Sequence, residues 1–463
     1  MARTESQVGG QIATRFRAGT LSRRELRALG KSLRKTVRRI SHAAWVAPTS
    51  RPDPVAVLRS QDSIRVPELV PVRYGRMLVS PFSFYRGSAA VMAGDLAGTP
   101  DIGVNVQACG DAHIANFGIY ASPERRLVFD VNDFDETTAA PWEYDLKRLV
   151  ASLVLDARDA GWGDVVGREA AMTAVSRYRD VLERLAQSTT LEIQYALMDE
   201  ERFFREKPDR KVAEQARLLL AKAHRRTNRQ AMRKLVKTVD GSPRFRSDPP
   251  LLTRLPPATE ERFHDLMESY RKTLQDNRSH VFDQFHFRDV ARKVVGVGSV
   301  GLRAYVVLLE GRGHPDPLIL QVKEATSSVL SPYVGRSGFD HHGRRVVVGQ
   351  RLMQAISDPF LGWAPIGDRD FYVRQLRDHK GPTVRAADPA VHLAECSIIG
   401  GTLARAHARS VDPALLRGYV GTGDRLAEAL VSFALAYADQ AEADHHRLEA
   451  AVRRGLVPAE TGI

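Results

Sequence analysis

The sequence predicts an α+β fold in two lobes, with a mainly helical body and one compact β-rich island at about residues 290–376. Three observations carry this expectation. Apolar residues recur at helical spacing through most of the chain. Near residue 290 the texture changes to short runs rich in Val, Leu and Tyr, punctuated by glycine. At 463 residues the chain is too long for one ordinary core and comfortable for two lobes plus extensions.

Ser22-Arg23-Arg24-Glu25 has capping-box spacing, and Leu26, Leu29, Leu33 and Val37 follow at helical intervals, so residues 22–38 are expected to be an amphipathic helix. Pro48 to Pro71 reads as an extended connector. Residues 86–97 look helical, and 104–108 and 126–131 read as short strands around a loop. Helices are expected over 142–160, 164–198, most of 209–239, and 259–276, with a proline-marked break at Pro249, Pro250, Pro256 and Pro257. In the β-rich island, 290–296 and 302–310 form a hairpin around a glycine-rich turn, 317–323 and 371–376 are strands, and 343–356 is a helix. Residues 391–409 and 423–455 read as long helices. The expected parts are an N-terminal basic extension and connector (1–80), a mainly helical part with a helical insertion (81–285), a β-rich part (286–380), and C-terminal helices returning to the helical part (381–463).

The net charge of +13 is unevenly spread. Residues 1–40 hold 11 Lys/Arg against 2 acids and residues 201–245 hold 14 against 5, each a local +9, which leaves −5 for the remainder. These segments read as solvated helical faces before they read as contacts for an anionic partner such as nucleic acid, because neither interleaves aromatics with its cations. Two cysteines, Cys109 and Cys396, exclude a disulfide framework and a cysteine-built zinc site. Without a long apolar run or a secretory h-region the expected location is cytoplasmic, with no membrane partner.

Four motifs carry chemistry. Gly296-Val297-Gly298-Ser299-Val300-Gly301 lies between two strand-like runs. Glycines in a hairpin let backbone amides approach nucleotide phosphates that side chains would block. Lys323 ends the apolar strand that follows, where a lysine is costly unless paired. Gly110-Asp111-Ala112-His113-Ile114-Ala115-Asn116 offers a carboxylate and an amide oxygen at D-x-x-x-x-N spacing, which suits an acceptor-side base (Asp111) and a metal ligand (Asn116). It is similar to the catalytic loop of aminoglycoside phosphotransferases, a resemblance that implies a structural role for His113. Asp130-Val131-Asn132-Asp133-Phe134-Asp135-Glu136 places four carboxylates after a strand, so Asp133 and Asp135 join Asn116 as candidate ligands for Mg²⁺ or Mn²⁺.

In an ordinary kinase the glycine loop precedes the catalytic loop. Here it follows, and no Asn occurs after Asn277, so no later D-x-x-x-x-N exists. The reading that reconciles the motifs is a circularly permuted, protein-kinase-like chain. Residues 400–409 (GGTLARAHAR) resemble the helix that leads into the catalytic loop of such enzymes, and Pro141–Leu146 resembles the segment whose aspartate steadies that loop. From about residue 38 to 447 the chain resembles the bacterial family called domain of unknown function 2252. The resemblance rests on Ser80-Pro81-Phe82 with Tyr85-Arg86-Gly87, Gly110–Gly118, Asn132–Glu136, Asp145–Leu149, Gly296–Gly301, Gln321–Ala325, Gly349–Arg351 and Leu403–Ala408. The family pattern has a glutamate before Gly349, where this chain has Val348, which leaves Glu324 or another acid to pair Lys323.

The expected activity is ATP- and Mg²⁺-dependent phosphoryl transfer to an unknown, anionic acceptor. Gly296, Gly298, Ser299, Gly301, Lys323 and Glu324 would bind the nucleotide. AMP transfer is a variant. An ATP-binding pseudoenzyme, or a basic nucleic-acid scaffold, is the alternative from another class. A metallophosphoesterase is discounted because no Gly-Asn-His motif follows Gly110-Asp111-x-His113. One geometric consequence follows: Lys323 and Asp133 should meet within about 10 Å across one cleft.

Overall fold

The computed structural model describes residues 21–313, 315–376, 386 and 388–463. The first half of the basic segment 1–40 and the expected boundary at 380/381 lie outside these residues. The fold is a mixture of helices and small antiparallel sheets. β1 (Asn105–Ala108) pairs with β4 (Thr138–Pro141), and β2 (Phe117–Ala121) pairs with β3 (Leu127–Val131). β5 (Val236–Val239) and β6 (Ser242–Phe245) form a separate hairpin.

The largest sheet has six antiparallel strands. They are β7 (Leu252–Arg254), β8 (His286–Lys293), β9 (Ala304–Glu310), β10 (Pro317–Glu324), β11 (Gly362–Ile366) and β12 (Arg369–Gln375), in the spatial order β11-β12-β10-β9-β8-β7. Side chains alternate across a strand. Leu318, Leu320 and Val322 of β10 therefore pack with Phe263, Leu266 and Tyr270 of the helix Pro257–Arg271, whereas Ile319 joins a second cluster around Leu235 and Phe245. Burial on both faces, at about 1.5–3 kcal/mol per fully buried aliphatic side chain, fixes the register of β10 and so the position of Lys323. The helix His342–Met353 packs against β11 and β12.

The helical body is built on Trp142–Asp159, which is buried from Trp142 to Ala157 and so has no solvent-exposed face over that span. Gly163–Leu185, Pro389–Ala408 and Arg425–Arg453 surround it in one hydrophobic core. Among the described residues no helix is long and apolar enough to cross a membrane.

Several sequence expectations need correction. The connector expected from Pro48 to Pro71 is largely helical, with helices Pro54–Ser60 and Val70–Met77 and short 3₁₀ turns between them. Pro54, Pro67 and Pro71 sit in first turns, where the missing N–H costs nothing, and the Asp53 side chain caps Pro54–Ser60 by accepting from Ala56 N. The helix expected over 209–239 is two helices, Arg210–Arg225 and Asn228–Leu235, followed by β5. The helix expected over 164–198 ends at Leu185, and a short capped helix, Thr190–Tyr195, follows. The large sheet also takes in β7 and β11, which the pattern did not suggest.

One feature of the body gives a pH prediction. Glu395 lies near Asp156; burial first, then Asp156, push its carboxyl pKa up to about 7 from 4.5. A pKa raised by folding gives stability that is complete below about pH 4.5 and is lost as pH rises through about 7. Glu395→Gln should therefore be more stable than the wild type above that range by about 1–2 kcal/mol, after allowance for partial exposure, and the gap should close in acid. Urea unfolding across this pH range checks it, and a pH-independent difference would refute it.

Candidate functional site

The site begins at the turn after β1. Gly110 has φ +81°, and a β-carbon there would sit 2.2 Å from the carbonyl oxygen of Glu136, so only glycine lets the two loops touch. Asp145, on the helix Trp142–Asp159, holds this turn: its Oδ2 accepts from Cys109 N at 2.6 Å and its Oδ1 from Gly110 N at 2.9 Å. His407 Nε2 lies 3.2 Å from Asp145 Oδ2. The end of the helix Pro389–Ala408 thus abuts β1, and Gln107 N donates to Ser410 Oγ at 2.8 Å.

The next residue, Asp111, lines a cleft. Arg148 Nε donates to its Oδ1 at 2.5 Å, and His113 Nε2 lies 3.8 Å from its Oδ2. His113 is buried, and that burial pushes its pKa down to about 4, so it is neutral at neutral pH. Asn116 Nδ2 donates to the Asp111 carbonyl at 2.7 Å, which leaves Asn116 Oδ1 as an acceptor.

The loop Asn132–Glu136, after β3, brings the acidic motif to the same place. The Asp133 side chain is 36 % exposed, whereas Asp135 Oδ1 accepts from Tyr372 at 2.8 Å and its Oδ2 accepts from Lys323. Lys323 and Tyr372 are direct cross-strand partners on β10 and β12, which explains why both reach one carboxylate. Lys323 Nζ is 3.9 Å from Asp133 Oδ2. Burial works against charge on Lys323, but Asp133 and Asp135 outweigh it and hold its pKa above the ordinary lysine range. Glu136 is tied to the strand-following segment, its Oε2 accepting from Val329 N at 2.7 Å, and burial pushes its pKa up to about 7.

The expected link between Lys323 and Glu324 does not form. Consecutive residues of a strand point to opposite faces. Glu324 accepts from Arg303 at 3.2 Å and Arg369 at 2.8 Å, while Asp135 is the counter-ion of Lys323; Lys323 and Glu324 are both buried, and neither is among the described residues that line the cleft. The helix His342–Met353 contributes a cation, with Arg345 donating to the carbonyls of Thr137, Asp135 (2.7 Å) and Thr326 (2.8 Å).

Gly296–Gly301 forms the turn between β8 and β9 and does not open a helix. Gly296 and Gly301 have φ +70° and +89°. This turn faces the acidic loop across a cavity of about 320 Å³ whose wall includes Asp111, Asn116, Asp133, Asp135, Gly296, Gly298 and Ser299. Segments almost two hundred residues apart in sequence therefore share one cleft, and the buried Lys323 meets its wall through Asp133 and Asp135, the latter 188 residues away.

The sequence reading missed the third wall. Residues 61–90 close the cleft: Val66 N donates to Gly301 O at 2.8 Å, Arg76 to Gly296 O at 2.6 Å, and Arg65 to Val300 O. Tyr85-Arg86-Gly87 stood out in the sequence, but nothing in its spacing assigned Arg86 a partner. In contrast, no described residue of the basic segment 201–245 is among those lining the cleft.

No curated protein and no solved structure matches the chain. A family model does, over residues 65–451, which includes every wall of the cleft except the turn around Gln61 and Ile64. The chain thus belongs to the family described as "Uncharacterized protein conserved in bacteria (DUF2252)".

Proposed function

We propose that this protein is an ATP-dependent phosphotransferase with a kinase-like site assembled from permuted segments. In this reading Asp111 accepts or orients the proton of an acceptor hydroxyl. Lys323 meets the α/β-phosphates, and Gly296, Gly298, Ser299 and Gly301 cover them. Asn116 and Asp133 offer only oxygen donors, a set that fits Mg²⁺ or Mn²⁺ and not zinc. Such an ion would neutralise phosphate charge. Asp135, with both oxygens engaged by Lys323 and Tyr372, orients the lysine.

The observation that carries the reading is the 3.9 Å approach of the buried Lys323 Nζ to Oδ2 of Asp133, a residue of the cavity wall that also includes Asp111 and the glycine turn. Composition gives these segments no reason to meet, whereas one nucleotide must touch both. The contact between the end of Pro389–Ala408 and β1 supports the permuted order, because a permuted chain keeps as neighbours what an unpermuted one joins covalently. A second reading, nucleotide binding without turnover, is favoured by one feature: Asp111 is held by the buried Arg148.

Thermal unfolding with and without millimolar MgATP tests the proposal. A ligand at about 100 times its Kd adds about 2.7 kcal/mol to stability. Lys323→Ala should lose most of that gain. The absence of any shift in the wild type would refute nucleotide binding. Binding without phosphate or AMP transfer in a mass analysis would leave the second reading.

A further inference from the structure

We infer that the cleft contains an oxyanion subsite centred on Arg86, placed to hold a phosphoryl or carboxylate group between the tip of the glycine turn and Asp111. Arg86 lies in the last turn of the helix Pro81–Gly87. Its backbone touches the glycine turn, since a β-carbon on Gly298 would lie 2.9 Å from the Arg86 carbonyl oxygen. Its guanidinium carbon is 6.0 Å from the centre of the Phe82 ring, and the residue lines the same cavity as Asp111 and Asp133. The small residues Gly87, Ala89 and Ala90 line the same cavity.

The two arginines around Asp111 differ in their partners. Arg148 is saturated: it donates to Asp111 at 2.5 Å and to the Tyr85 carbonyl at 2.9 Å, and it stacks 4.2 Å from the Tyr85 ring centre. Arg86 has a buried Nε with no hydrogen-bond partner among the described residues. Burial lowers its pKa and outweighs the attraction of Asp111, Asp133 and Asp156. A half-compensated buried cation is costly without a ligand, and an entering anion relieves that cost. Arg65, across the glycine turn, donates to Val300 O but also has a buried Nε without a partner among the described residues, and burial lowers its pKa to about 9. A planar guanidinium presents two parallel donors that match phosphate and carboxylate oxygens.

The source of the anion rests on the proposed nucleotide reading: it is either the terminal phosphoryl group of the nucleotide or an anionic group on the acceptor. Calorimetric titration of the full chain and of Arg86→Met distinguishes the two. The probes are Mg·ATP, Mg·ADP, and inorganic phosphate with and without Mg·ADP. If Arg86 holds the terminal phosphoryl group, the variant loses roughly 10- to 100-fold in ATP affinity and keeps its ADP affinity. If it holds the acceptor's anion, both nucleotides keep their affinity and phosphate binding falls by the same factor. Unchanged affinity for all probes, or an equal loss for ATP and ADP, overturns the subsite. Arg86-dependent phosphate binding by a protein that binds no nucleotide would sustain the subsite and refute the nucleotide reading. Should Arg86→Met prove too unstable to titrate, Arg86→Lys decides: it keeps a cation but not the fork, so a several-fold loss on the same probe supports the subsite and full retention on every probe overturns it.

Discussion

Asp145→Ala is expected to cost about 3–5 kcal/mol of stability, although Asp145 is not among the described residues that line the cleft. The carboxylate is 1 % exposed and accepts from two consecutive backbone amides, Cys109 N and Gly110 N, while His407 lies 3.2 Å away. Alanine removes three interactions at once. It leaves two buried N–H groups with no acceptor and opens a cavity beside His407. Asp145→Asn should cost less, about 2 kcal/mol, because the amide keeps one acceptor but turns a donor toward the second backbone N–H. The comparison is informative because Gly110 must keep φ +81° for the loop to present Asp111. Loss of the carboxylate should therefore loosen the Asp111 loop before the whole chain unfolds. Hydrogen exchange of the Gly110 amide would then accelerate more than that of the helix Trp142–Asp159. A loss below about 1 kcal/mol in urea unfolding would show that water replaces the carboxylate and that the turn is held elsewhere.

How far the sequence carried this site can be argued from particular residues. The motifs that use backbone geometry were legible: a hairpin of glycines between two apolar runs has few folds open to it, and Gly296–Gly301 is a turn between antiparallel strands. The spacing of Asp111, Asn116 and Asp133 was legible for the same reason, since a strand, a turn and a strand set their separation locally. Partner choice was not. Lys323 needed an acid, and the nearest in sequence, Glu324, lies on the wrong face of β10; the actual partner, Asp135, is 188 residues away. That pairing depends on the register of β10 against β12 and on how the sheet meets the acidic loop, and neither is encoded locally. The wall formed by residues 61–90 was missed because its prolines suggested an extended segment. In the fold they occupy first helical turns, and the arginines between them reach the glycine turn through Val300, Gly296 and the Arg86 carbonyl. The basic segment 201–245 drew attention through charge alone. Its helices lie outside the cleft wall, and Arg210–Glu214 and Lys211–Asp388 already neutralise part of it.

Asp111→Asn and Asp133→Asn are expected to fail in different ways, and that difference tests the roles assigned to them. Asp111→Asn should lower phosphoryl transfer by about 10²–10⁴-fold while MgATP still binds, because an amide keeps the shape but no longer takes a proton. The change also removes the only ion-pair partner within 4.0 Å of Arg148 found among the described residues. Arg148 is buried, and its pKa is raised because Asp111 and its other partners outweigh burial. Asp111→Asn should therefore lose stability as well, by about 1–3 kcal/mol, and turnover must be compared well below its melting temperature. Asp133→Asn leaves that pair intact. It removes charge from a carboxylate 3.9 Å from Lys323 and 36 % exposed at the cleft wall. Its main effect should be on the cation: the Mg²⁺ concentration needed for half-maximal activity should rise about tenfold or more, with partial rescue at high metal. The two profiles separate the roles cleanly. A metal-rescued Asp111→Asn would make Asp111 a ligand, and near-normal turnover in that variant would remove it from the chemistry. A wholly inactive Asp133→Asn that still binds MgATP with wild-type metal dependence would move the proton-accepting role to Asp133.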